Sequence, residues 1–155
     1  MNNFQKISIF LLRISMGWFT FYAGITKVQN AAWSAAGYIQ GAKTFPGFYQ
    51  WFLQPDILPI VNFLNAWGLL LIGVALLTGV FVRAASFFGI ALMLLFYFPI
   101  LDFPYPNPHT YLVDEHIIYA LAFLVLMATR AGSFWGLGRL CSRFSFCAKL
   151  RNILG

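Results

Sequence analysis

Four stretches of this chain are apolar for long enough to cross a lipid hydrocarbon core, and they leave little room for anything else. They run over roughly 7–28, 57–82, 84–101 and 112–129, each near or above the about 20 helical residues that a core of ~30 Å requires. In lipid a backbone can satisfy its N–H and C=O groups only within a helix or a closed barrel. A barrel needs alternation over ~10-residue strands, and runs such as Gly68 to Leu77 do not alternate. The predicted fold is therefore all-α: a four-helix transmembrane bundle within residues 1–133, with an aromatic outer loop region, followed by a basic amphipathic tail over 134–155. Composition agrees, with 61% of residues apolar and 9% charged, where a soluble domain carries nearer ~25% charge. A cleaved signal peptide does not suit the first run, which is too long and is interrupted by Arg13.

Charge sets the expected orientation. With four spans, Lys6, Arg13, Arg83, Arg130, Arg139, Arg143, Lys149 and Arg151 share one side, and all four acids, Asp56, Asp102, Asp114 and Glu115, fall on the other with Lys27 and Lys43. The positive-inside rule then places both termini in the cytoplasm of a cell membrane. The net charge of +6 describes a polarised membrane protein whose basic tail meets anionic lipid, and it points to no nucleic acid. Of the connections, the turn at Arg83 is very short. The loop from Gln29 to Asp56 is long and aromatic, with Trp33, Tyr38, Phe45, Phe48, Tyr49, Trp51 and Phe52, and is expected to form short helices or turns in the outer interface, broken near Pro46-Gly47 and capping the bundle. Residues 102–109 carry three alternate prolines, which predicts an extended strap.

Three constellations stand out. On the first helix, Arg13, Gly17, Thr20, Gly24 and Lys27 fall within an arc of about 80°, a stripe that should face protein because its small residues allow close helix approach and its charges need partners. Snorkelling of both cations to the interfaces is the simpler alternative. On the second helix, Asn62, Asn65, Gly68 and Gly79 span roughly 120° and suit an interhelical hydrogen-bond seam. On the fourth, Asp114 and His116 point about 160° apart on a helix, so Asp114 is expected to cap the helix while Glu115 or His116 turns inward.

By depth, Lys27, Asn62, Asn65, Glu115, His116 and Tyr119 gather in the outer third as a candidate polar pocket under an aromatic lid. Such a site could hold a quinone head group, with a His or Lys donating to a ring carbonyl and a carboxylate passing protons outward. It could equally hold a lipid head group or pass an ion. The tail opens with Leu137, Leu140, Cys141 and Phe144 on one face and Arg139 and Arg143 on the other, a pattern for a helix on the inner leaflet. Cys141 and Cys147, the two cysteines, have neither redox nor metal spacing. Two histidines near one helix end do not suit a metal or haem site, and no self-contained active site is visible.

Arg13, Gly17, Gly24 and Lys27, then Gly68 to Gly73 through Gly79 and Arg83, then Leu112 to Tyr119 with Gly136-Leu137, in that order, resemble the DoxX family, which includes the DoxD membrane subunit of thiosulfate:quinone oxidoreductase. Read this way, the resemblance covers nearly the whole chain. Many DoxX-like proteins carry a glutamate where Asn65 stands here, and an aspartate where Gly138 stands. The resemblance implies a four-helix integral membrane protein associated with a quinone-linked oxidoreductase or respiratory complex, with other membrane subunits or a second copy as partners and a bound quinone as the group it would use. Two alternatives stay open: a non-catalytic scaffold subunit, or a small lipid or anion transporter suggested by Arg13 and Lys27 on one face.

Overall fold

Helix α1 (Asn3–Gln29) starts where Asn2 and Gln5 close a capping box, the Asn2 side chain accepting from the Gln5 N–H at 2.8 Å and the Gln5 side chain accepting from the Asn2 N–H at 2.9 Å. That exchange satisfies two donors that a bare helix start leaves open, and it extends the helix four residues before the apolar run. The computed structural model describes residues 1–133 together with Trp135 and Gly136. The remaining helices are α2 (Ala36–Gln40), α3 (Pro46–Trp51), α4 (Leu58–Thr78), α5 (Val82–Ile100) and α6 (Glu115–Ala128), with a 3-10 turn over Ala131–Ser133. Among the described residues there is no named strand, only two isolated bridges in the α5–α6 connection. The proposed tail helix, with Cys141 and Cys147, lies outside the described residues.

Helices α1, α4 and α5 are long and apolar enough to cross a membrane. Helix α6 has 14 residues, or about 21 Å at 1.5 Å per residue, shorter than the 112–129 run because Asp114 caps it and holds Leu112 and Val113 outside. Large apolar side chains point outward along all four, among them Trp18, Tyr22, Phe63, Leu71, Phe87, Phe88, Ile118 and Leu121. A surface of that kind suits hydrocarbon rather than water.

Glycine decides how the helices pair. A Cβ on Gly24 would sit 2.3 Å from the Leu70 N, and one on Gly73 would sit 2.3 Å from the Phe21 N. Antiparallel α1 and α4 therefore touch backbone to backbone, which only a missing side chain permits. Gly17 continues the seam against Leu76 and Leu77, so the small-residue stripe of α1 faces α4 as expected. Helices α5 and α6 pair differently, with the fully buried Phe123 ring laid over Gly89.

The connections agree with the sequence reading in one place and correct it in another. The α1–α4 loop forms two short helices with a break before Pro46, which begins α3 because proline fits the first helical turn. Residues 102–110 fold as two tight reverse turns, Asp102 with Tyr105 and Asn107 with Thr110, and do not extend; the Asn107 side chain accepts from the His109 N–H at 2.9 Å, the local bond that makes Asn a turn residue.

Candidate functional site

The two ends of the assembly differ, and each is named here by its links: the turn end carries residues 79–81 and 129–136, and the connection end carries 30–57 and 101–114. At the turn end Arg13 is 1% exposed. Its guanidinium donates to the Ala131 carbonyl at 2.7 Å and the Trp135 carbonyl at 3.1 Å, and lies 5.1 Å from the Phe10 ring centre. Gly79 and Gly136 leave the space it fills, for a Cβ on either would meet Nη1 within 3.3 Å. Gly79 also ends α4 with φ +74°, a conformation that other residues adopt at a cost. Arg13 is thus a staple between α1 and the chain after α6, not a snorkelling cation.

At the connection end the last carbonyls of α5 take donors from the α1–α4 loop. Pro99 lacks an N–H and so leaves the Leu95 carbonyl without its helical donor; the Tyr49 hydroxyl donates to it at 3.0 Å. The Tyr38 hydroxyl donates to the Phe96 carbonyl, the Lys43 N–H to the Pro99 carbonyl at 3.0 Å, and the Thr44 hydroxyl to the Leu101 carbonyl at 2.5 Å. Helix ends have spare acceptors, and this loop supplies their donors. Burial pushes the Tyr49 phenol up, and burial followed by the Asp114 charge pushes Tyr38 up, so both remain protonated donors at physiological pH. Lys43 pairs with Asp102 at 2.9 Å across the same junction.

Beneath this α1–α4 loop, the strap over the connection end, is a cavity of about 150 Å³ between α4 and α5. Its walls are aliphatic and aromatic: Tyr38, Ile39, Tyr49 and Phe52 from the loop, Val61 and Leu64 from α4, and Leu92, Leu95, Phe96 and Pro99 from α5. Asn65 brings the amide, is 9% exposed, and its Oδ1 is buried with no hydrogen-bond partner. A buried polar atom left this way costs about 1–3 kcal/mol, a cost that a hydrogen-bond donor brought to it would remove.

The other candidates from the sequence lie elsewhere. Asn62 holds the strap, its Oδ1 accepting from the Ala35 N–H at 2.9 Å and its Nδ2 donating to Ser34 at 3.3 Å. The Asn–Gly seam on α4 is therefore not formed: Asn62 serves the loop, Gly68 faces Leu92 and Gly79 is a cap. Lys27 donates to its own helix at the Ala23 carbonyl, 3.2 Å away, and lies 5.3 Å from the Trp33 ring centre. Asp114 is the N-cap of α6, accepting from the His116 and Ile117 N–H groups, while its Oδ2 lies 2.6 Å from the His116 Nδ1. The helical 160° separation fails because Asp114 has extended, not helical, torsions. His116 turns inward and meets the Phe96 ring edge at 6.2 Å, behind the cavity wall. Glu115 is exposed, and Tyr119 packs on Phe19 at 4.7 Å. Of the six candidates, Asn65 alone lines the cavity.

Pro99, Leu92, Leu95 and Phe96 do not stand out in the sequence as site residues, whereas Tyr38, Tyr49 and Phe52 belong to the aromatic loop expected at the interface and over the pocket. A proline in the last turn of an apolar run was the available signal, because it frees a carbonyl that some other group must meet.

No curated protein and no solved structure matches the chain. A family model, DoxX, matches residues 8–100. The match takes in α1 to α5, with the cavity and the strap, and stops before Asp114 and α6. On that match the chain belongs to the DoxX family, as an integral membrane protein.

Proposed function

We propose that this protein is the membrane subunit of a quinone-linked oxidoreductase or respiratory assembly, and that its connection-end cavity binds the quinone head group. The observation that carries the reading is the unpartnered, buried Asn65 Oδ1 in a cavity otherwise lined by apolar and aromatic groups. Small-ligand sites have this composition, with broad apolar walls and few polar groups that fix orientation. The Asn65 Nδ2 can donate to a quinone carbonyl and its Oδ1 can accept from the hydroxyl of the reduced quinol, and Tyr38, Tyr49, Phe52 and Phe96 line the same cavity. A bound quinone would supply two-electron, two-proton exchange with a partner subunit. The chain itself holds the ring and excludes water from it.

In this reading the protein is a four-helix bundle in a cell membrane, with the basic turn end and both termini cytoplasmic and the cavity in the outer leaflet. Helix α6 is the fourth span. Its outward Ile118, Leu121, Leu124 and Val125 are exposed, which water would not tolerate, and it pairs with α5 through Phe123. The scaffold alternative draws on the α1–α4 backbone seam and the satisfied Arg13, where polar and small residues act as helix glue. The transporter alternative loses its motive, since Arg13 and Lys27 each serve other groups.

Decylbenzoquinone titrated into the purified protein in nanodiscs tests the proposal. Saturable binding is expected, weakened about tenfold by Asn65→Leu with the amount of folded protein unchanged. Absence of saturable binding would sink the quinone reading and favour the scaffold. Mass spectrometry after gentle extraction from native membranes tests the association, the expected result being redox subunits and quinone together.

A further inference from the structure

We infer that this cavity selects its occupant by ring count, admitting one six-membered ring and refusing a fused pair. The inference rests on the proposed function and names the class of quinone. At about 150 Å³ the cavity matches the size at which an apolar protein void accommodates a single benzene. A second fused ring adds four carbons, and the walls would have to part to take them.

Those walls are held. Swinging Tyr49 aside would strip the Leu95 carbonyl of the donor that Pro99 cannot supply. Moving Tyr38 breaks its bond to the Phe96 carbonyl. Ala35, on the loop side, is tethered through its N–H to Asn62 at 2.9 Å. Three loop-side wall residues, Ala35, Tyr38 and Tyr49, are thus each held by a hydrogen bond, and breaking the partly buried Ala35 and Tyr49 bonds leaves a polar group unmet. Packed sites resist enlargement for the same reason that overfilled cores are strained. The Asn65 Nδ2 then sets the direction of entry by donating to one ring carbonyl, while substituents and tail leave past Leu64, which is 61% exposed.

Decylbenzoquinone and decylnaphthoquinone share a tail and differ in ring count. Both are titrated against the protein in nanodiscs, with affinity expressed per mole fraction of quinone in the lipid and read by quenching of intrinsic aromatic fluorescence. The single ring is expected to bind at least about tenfold more tightly. Val61→Ala removes two methyl groups from the wall and is expected to admit the fused ring, narrowing the ratio to about threefold or less. Equal or tighter binding of the naphthoquinone to the unaltered protein overturns the ring-count inference and leaves the proposed function standing. An unchanged ratio in Val61→Ala also overturns it, because the walls are then not the source of selection. If neither compound binds, the proposed function falls and this inference with it.

Discussion

At the turn end Arg13 is almost inaccessible, and its guanidinium is met by the Ala131 and Trp135 carbonyls in space that Gly79 and Gly136 leave open. At the connection end Asn65 is also buried and lines a cavity, yet its Oδ1 has no hydrogen-bond partner. The cost of burying polar atoms is thus offset at one end by two carbonyl partners and left standing at the Asn65 Oδ1 at the other. A group that the chain itself meets holds the fold, and one left open is where the proposed ligand would act.

Substitutions can break this contrast or sharpen it. Arg13→Met should have the largest effect, a loss of about 3 kcal/mol or more, since it leaves two carbonyls unmet in space shaped for a guanidinium; unfolding in mixed detergent micelles would measure it. Gly79→Ala should cost about 2 kcal/mol, because the new side chain must adopt a left-handed torsion and crowd Gly136, and it should lower the melting temperature without altering quinone binding. Tyr49→Phe should cost about 1.5 kcal/mol at the connection end by orphaning the Leu95 carbonyl. In a Pro99→Ala background the restored N–H can serve that carbonyl, so the cost should fall by at least about 0.5 kcal/mol in a double-mutant cycle. Smallest and of opposite sign, Asn65→Leu should leave stability unchanged or raise it by up to about 1 kcal/mol, because it deletes an unmet acceptor. A clear loss of stability in Asn65→Leu would show that both ends are structural and remove the contrast.

Much of the first two spans could be read along the chain. The stripe of Arg13, Gly17, Thr20 and Gly24 follows helical periodicity, so its orientation towards protein was legible, though the identity of its neighbour, α4, was not. The Asn2 and Gln5 box, which sets the true start of α1, was also legible as a capping signature. The pocket was legible only in Asn65. Depth grouped Lys27, Asn62, Glu115, His116 and Tyr119 with it, but depth does not decide which way a side chain turns. Helical projection misplaced Asp114 relative to His116, since a capping residue lies outside the helix whose geometry was applied to it. The loop aromatics were seen as interface anchors because their partners, the Leu95 and Phe96 carbonyls, lie 46 and 58 residues away.

By itself the sequence determined the lipid-suited helices, the glycine stripe that lets two of them touch, and the proline that frees a carbonyl in α5. These depend on residue type and on spacing within a few turns, where backbone geometry is regular. Only the tertiary structure decided that Tyr49 meets that carbonyl, that Asn62 is spent on the strap, and that Asn65 is left with an open hydrogen bond. Satisfaction of a polar group is a property of its neighbours in space, and those neighbours come from segments that no local period relates.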